Sequence, residues 1–246
     1  MTFYKDYDRD TFVSQLVDLQ TAISQINFES VEREEGYMYA RSLNKLIGLC
    51  FSDSYEAGWW TDINTGLDFD VDMPKKIALI HSEISEALEA DRKNLMDDKL
   101  PHRHGREVEL ADTLVRTCDL LGRIYKEIGS DGVSDDILKA FWDFSAFCEP
   151  VYQKGDSFAL VATELHSDFS QAYNLYACDA LGPEEDVTPD WDIICAYLLN
   201  CCIGILYASH VMDMDVATAT IEKIEYNRQR ADHKLENRRA IGGKSY

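Results

Sequence analysis

Apolar residues recur along this chain at spacings of three and four, the repeat of a helix that buries one face. Phe12, Val13, Leu16, Leu19 and Ile23 mark a first helix over 10–26, and Leu43, Leu46, Ile47 and Cys50 a second over 36–57. Ile77, Ile80, Ile84, Ala87 and Leu88 stripe a helix over 75–93, and Leu110, Leu114, Cys118 and Leu121 another over 105–127. The pattern restarts after a Gly-rich stretch at 129–133 and predicts helices over 136–152, 156–178, 190–212 and 216–230. A Gly-, Asp- and Trp-rich loop fills 58–74, and a polar loop broken by Pro101 precedes His104. No window alternates as a strand does, so the expected fold class is all-α: a helical bundle within a single domain spanning 1–246.

The segment 193–212, IICAYLLNCCIGILYASHVM, has no formally charged residue over 20 positions. That length could span a bilayer. It contains Asn200, Ser209 and His210 and is flanked by Asp192 and Asp213 without Lys/Arg anchors, so a buried central helix is expected and not a membrane span. The formal charge of −21 argues against nucleic-acid and anionic-membrane partners. The acid is uneven: residues 222–246 hold seven Lys/Arg and only four acids. Seven cysteines without a CxxC pair, several in apolar runs, read as reduced buried thiols of a cytoplasmic protein.

Two acidic pairs change the picture. Glu83 and Glu86 form ExxE, and Glu109 and Asp112 form ExxD. Residues three apart share a helix face, and here that face borders the apolar stripe. Four carboxylates meeting at a core edge repel one another unless a cation or protons intervene. Hard oxygen ligands suit Mg²⁺, with Mn²⁺ as a substitute. Acid-rich helices also carry such pairs on solvated faces. A di-iron site would want Glu-x-x-His, which is absent. His81 is read as a hydrogen-bonding group at the core edge, not a ligand.

ExxE followed by 22 residues and ExxD resembles the MazG-type all-α nucleoside triphosphate pyrophosphohydrolases. GWWTD (58–62), LIHSEISEALEADRK (79–93), LMDDKLPHR (95–103), EVELADTLVR (107–116) and MDVATATIEKIEYNRQRADHKLENR…GGK (214–244) are similar to a bacterial and phage branch of that superfamily. The resemblance implies a MazG-like bundle with a catalytic repeat at 36–127 and a nucleotide-contacting helix and basic tail at 213–246. It implies Mg²⁺-dependent hydrolysis of a nucleoside triphosphate to monophosphate and pyrophosphate. Glu83, Glu86, Glu109 and Asp112 would be the metal ligands, with Glu83 and Glu86 catalytic and Glu86 as general base. Lys223 and Asn227 occupy the positions that contact nucleotide, with Arg230, His102 and Arg103 as further phosphate contacts. Trp59 and Trp60 are candidate base-stacking residues, although tryptophans at a loop–helix junction also serve as packing anchors.

The chain departs from the resemblance through an insert of about 90 residues. Its portion 134–212 aligns as a degenerate second repeat when 77–88 is set on 158–169 and 109–124 on 192–207, which puts Ser167 under Glu86 and Cys195 under Asp112. The sequence leaves open a homodimer or a single-chain pseudo-dimer of two four-helix-type repeats. It also leaves open a dUTP- or dCTP-specific enzyme and a non-catalytic nucleotide-binding or interaction bundle.

Overall fold

The structure is a computed structural model and describes residues 8–25, 32–62, 64–144, 151–180, 188–231 and 234–238. Helices run in the order α1 (Arg9–Ser24), α2 (Arg33–Ser42), α3 (Asn44–Glu56), α4 (Met73–Lys93), α5 (Gly105–Glu127), α6 (Asp135–Phe144), α7 (Phe158–Ala180), α8 (Trp191–Val211), α9 (Val216–Gln229) and α10 (Leu235–Arg238). Among the described residues the only β pairings are the isolated bridges Thr61–Asp68 and Met96–His104, so the fold is all-α.

Local chemistry sets several ends. The Asp72 carboxylate accepts from the Lys75 amide at 3.2 Å, and Pro74 falls in the first turn of α4, where its missing N–H costs nothing. The helix stops at Asn94, which takes the left-handed conformation at φ 51°. Asp97 then accepts from the Lys99 and Leu100 amides at 2.9 and 2.6 Å, organising the loop into α5. Asp190 caps α8 and Asp215 caps α9 in the same manner.

One contiguous apolar core runs through the bundle. α5 packs against α3, α4, α8 and α9, while α8 packs against α1, α5, α6 and α7. α4 and α7 close the bundle between them. α8 is long and apolar enough to cross a membrane, but 67% of its most apolar window is buried by these neighbours. That is the central-helix position expected from its uncharged run.

Some expectations change in detail. The helix expected over 36–57 is divided at Leu43, whose amide bonds back to Ala40. α6 ends at Phe144 and Tyr152 is not helical; 145–150 lie outside the described residues. Tyr152 instead donates its hydroxyl to the Gly204 carbonyl at 2.8 Å. Cys50, Cys118, Cys195, Cys201 and Cys202 are buried free thiols and Cys178 is exposed, while Cys148 lies outside the described residues.

The α3–α5 crossing depends on Gly122. A Cβ there would sit 2.4 Å from Phe51 Cβ, an atom fixed to the α3 backbone. Gly122→Ala is expected to destabilise the fold by about 1–3 kcal/mol through overpacking. Urea denaturation measures this, and an unchanged midpoint would contradict the close approach.

Candidate functional site

α4 and α5 form a helical hairpin whose closed end is tight, with Gly105 packed on Ala90. Its facing sides bring three of the four acids together. Carboxylate oxygens of Glu83, Glu86 and Glu109 all lie within 4.8 Å of one another. Glu83 is buried, Glu109 half-buried and Glu86 exposed, so the cluster opens toward solvent on the Glu86 side. Asp112, one turn beyond Glu109, stands outside this trio and pairs with Lys223 Nζ at 2.7 Å. Arg116 holds Glu83 through Nε and Nη2, at 2.7 and 2.6 Å from the same oxygen.

These contacts leave the site short of positive charge. Four carboxylates face two bases, a formal excess of two negative charges. Burial pushes Glu109 up to about 8, and the neighbouring charges of Asp112 and Glu83 push the same way, against Lys223. Burial also raises Asp112, with Lys223 opposing. Lys223 is desolvated as well, yet Asp112, Glu109 and Asp97 more than offset that and hold its pKa above the ordinary value. An all-oxygen trio that holds Glu109 protonated for want of positive charge fits a hard divalent cation, which would take the place of that proton.

A pocket of about 770 Å³ is lined by Asp112 and by Arg116, the partner of Glu83, whereas Glu83, Glu86 and Glu109 themselves are not among its lining residues. Lys75, Lys76, Arg228, Arg230 and Lys234 also line it together with Asp53, Glu56 and Asp119, so bases outnumber acids in the lining of a pocket in an acidic protein. Lys76 is anchored at its floor: Nζ lies 3.2 Å from Asp119 and 3.4 Å from the centroid of the Trp60 ring. Trp60 Nε1 donates to Asp119 at 2.6 Å. Burial lowers the Lys76 pKa, Asp119 opposes this, and Arg116 and Lys75 add to it.

The sequence-derived candidates distribute unevenly over this geometry. Asn227, Arg230 and Trp59 line the pocket. Asn227 Oδ1 is buried without a hydrogen-bond partner among the described residues, an acceptor held ready for a donor. Lys223 is buried and turned to Asp112, not to the pocket space. His102 and Arg103 bind Glu222 of α9 at 2.8 and 2.7 Å, and Arg103 also reaches Glu107 at 3.2 Å. They tie the α4–α5 loop to α9 and do not line the pocket. Trp60 is buried under Lys76 and is a packing anchor. Trp59 carries the Arg238 guanidinium 3.6 Å from its ring centroid, and Arg238 donates to the Ala57 carbonyl at 2.9 Å. Arg230, Lys234 and Arg238 of the basic C-terminal segment therefore lie at or beside the pocket.

Lys75, Lys76, Arg116, Arg228 and Lys234 were not among the sequence candidates. Two of them had a visible signal. Arg116 is four residues past Asp112 and seven past Glu109, and Lys76 is seven before Glu83, so each shares the helix face of the acids. Arg228 pairs with Asp53 on α3 at 2.7 and 2.9 Å, a contact between distant segments that no local spacing announces.

No family model, curated protein or solved structure matches this chain. The site is therefore read from its own geometry.

The Glu109 shift has a sign that can be tested. The folded chain keeps that proton to about pH 8, whereas an unfolded chain releases it near the ordinary 4.5. Between these values the folded state binds more protons, so metal-free stability falls as pH rises. Glu109→Gln removes that contribution. Its urea midpoint should decline less than wild type between about pH 5 and 8 in a chelating buffer; equal declines would contradict the assignment.

Proposed function

We propose that this chain is a MazG-like, Mg²⁺-dependent nucleotide pyrophosphohydrolase that converts a nucleoside triphosphate and water to the monophosphate and pyrophosphate. The observation that carries the reading is the junction of an oxygen-only carboxylate trio with a cation-lined pocket through Asp112 and Arg116. An acidic cluster alone would be a solvated surface. A cationic pocket alone would suit any anion. Their contact suits a metal–triphosphate complex.

Glu83, Glu86 and Glu109 would hold the ion, with Asp112 at the edge of the set and paired with Lys223. Bound Mg²⁺ supplies charge neutralisation for the triphosphate and a water of lowered pKa for attack at the α-phosphorus. Glu86, the solvent-facing carboxylate, would accept the proton of the attacking water. The bond from the α-phosphorus to the bridging oxygen breaks, and pyrophosphate leaves. Lys75, Lys76 and Arg116 neutralise the departing phosphates on the α4–α5 side of the pocket, and Arg230 and Lys234 do so from the C-terminal side. Asn227 offers its buried Oδ1 to a sugar hydroxyl or base N–H. Trp59, and not Trp60, is the residue for base stacking.

Lys223 has a different task from direct phosphate contact in this reading. It is a positioning residue that fixes Asp112. His102 and Arg103 hold α9 over the hairpin through Glu222. α7 packs on α4 and α8 on α5 within the one chain, which supports the single-chain pseudo-dimer reading.

Purified chain incubated with Mg²⁺ and a panel of NTPs and dNTPs is expected to release pyrophosphate from at least one of them. No release by folded protein would refute the proposal. Glu83→Gln and Asp112→Asn should each lower kcat by at least about 100-fold, the scale of losing one preorganised charged group. Lys76→Met should raise KM for the nucleotide while circular dichroism stays unchanged; an unaltered KM would remove Lys76 from the phosphate set.

A further inference from the structure

His81 on α4 and His166 on α7 meet, both half-buried, where the two helices pack together. Their Nδ1 atoms are 2.7 Å apart, and the rings stack with centroids at 4.9 Å. Around them the two helices repeat each other at an offset of 85 residues. Met73 opens α4 and Phe158 opens α7. Asp72 caps α4 by accepting from the amide three residues on, at 3.2 Å, and Ser157 accepts from Leu160 at 3.3 Å. HSEISEA (81–87) falls on HSDFSQA (166–172), with four of seven residues identical. Ser85 Oγ donates to the His81 carbonyl, and Ser170 Oγ to that of His166, at 2.9 and 2.7 Å. The buried positions coincide too: Ile77 with Ala162, Ile80 with Leu165, Ile84 with Phe169, and Ala87 with Ala172.

A residue that touches its own counterpart lies on a twofold axis. His81 and His166 satisfy that condition on α4 and α7. Cys118 on α5, whose thiol lies within hydrogen-bonding reach of Cys202 on α8, supplies a second such contact. The surroundings also match, since α3 covers α5 as α6 covers α8, and α9 covers α5 as α1 covers α8.

We infer that α4–α5 and α7–α8 are two copies of one helical hairpin facing each other across an internal twofold, and that the second copy has lost its metal site. The chain then carries one site and supplies its own partner. The single-site half rests on the proposed metal role of Glu83, Glu86 and Glu109.

The axis contacts identify what was lost. At the α4–α7 offset, Asp168 stands for Glu83 and Gln171 for Glu86. At the Cys118–Cys202 offset of 84, Ile193 stands for Glu109 and Ala196 for Asp112. One acid persists, one has become its amide, and two have become hydrocarbon. Among the described residues no second trio of ligand-type side chains occurs. The register expected from sequence, 77–88 on 158–169, is therefore one helical turn short: it matched Glu83 to Glu164, whereas the caps, buried positions and His pair match it to Asp168.

Two measurements on the full chain separate the halves of this inference. Mn²⁺ alone, followed by the loss of its free-ion paramagnetic resonance signal, should show one class of saturable binding. Glu83→Gln should abolish it, and Asp168→Asn should leave the dissociation constant within twofold of wild type. Saturable binding that survives Glu83→Gln, or that disappears in Asp168→Asn, overturns the single-site claim. No Mn²⁺ binding by wild type would overturn the proposed metal role and the single-site claim with it. Sedimentation velocity tests the internal partner independently of metal. A monomer near the chain mass of 28.1 kDa is expected, and a stable dimer at micromolar concentration overturns the self-pairing.

Discussion

Carboxylates driven together at the edge of a hydrophobic core are the constraint around which this bundle is arranged. Bringing Glu83, Glu86 and Glu109 oxygens within 4.8 Å of one another costs both solvation and Coulomb energy. The fold answers with two cations drawn from different helices. Arg116 on α5 holds Glu83, and Lys223 on α9 is buried against Asp112. The α9 helix is thus fixed by the acids as well as by its apolar face, and the α4–α5 loop reinforces it through the Arg103–Glu222 pair. These two bases do not balance the cluster, and Glu109 is pushed up to about 8 as a result of burial and its acidic neighbours. The same interaction connects fold and proposed chemistry, because α9 also delivers Asn227 and Arg230 to the pocket beside the acids.

Much of this was legible in the sequence because helical period and acid spacing are local signals. The boundaries of α5 follow directly from its apolar stripe and the glycine that opens it. The ExxE and ExxD pairs could be placed at the core edge for the same reason. The fate of Lys223 was not legible. A Lys in a basic C-terminal run reads as a ligand contact or a solvated end, and only the packing of α9 on α5 turns it inward. Trp59 and Trp60 are adjacent and chemically alike, yet one lines the pocket and the other lies beneath Lys76. That distinction depends on Asp119, nearly sixty residues away.

The repeat shows the same limit in another form. An alignment guided by acidic residues pairs Glu83 with Glu164, because acids are the conspicuous feature of the first copy. On the inferred duplication the second copy has lost its site, which makes acids a poor guide to its register. Caps, backbone-bonded serines and the histidine pair record the fold itself, and they give the offset of 85. The charge distribution becomes intelligible at this scale. The acidic first hairpin faces a second hairpin whose positions at the inferred offsets are one aspartate, one amide and two hydrocarbons, and the cations gather around the pocket beside the first.

The account stands on the claim that the acids of α4 and α5 are arranged for a divalent cation. The most direct test is the denaturation midpoint as Mg²⁺ is raised from chelated levels to millimolar at pH 7.5. A ligand that binds only the folded state stabilises it progressively with the logarithm of its concentration once the site fills. The account predicts such a rise for wild type and a flat response when Glu83 and Glu109 are both replaced by glutamine. A wild-type midpoint indifferent to Mg²⁺ would contradict it.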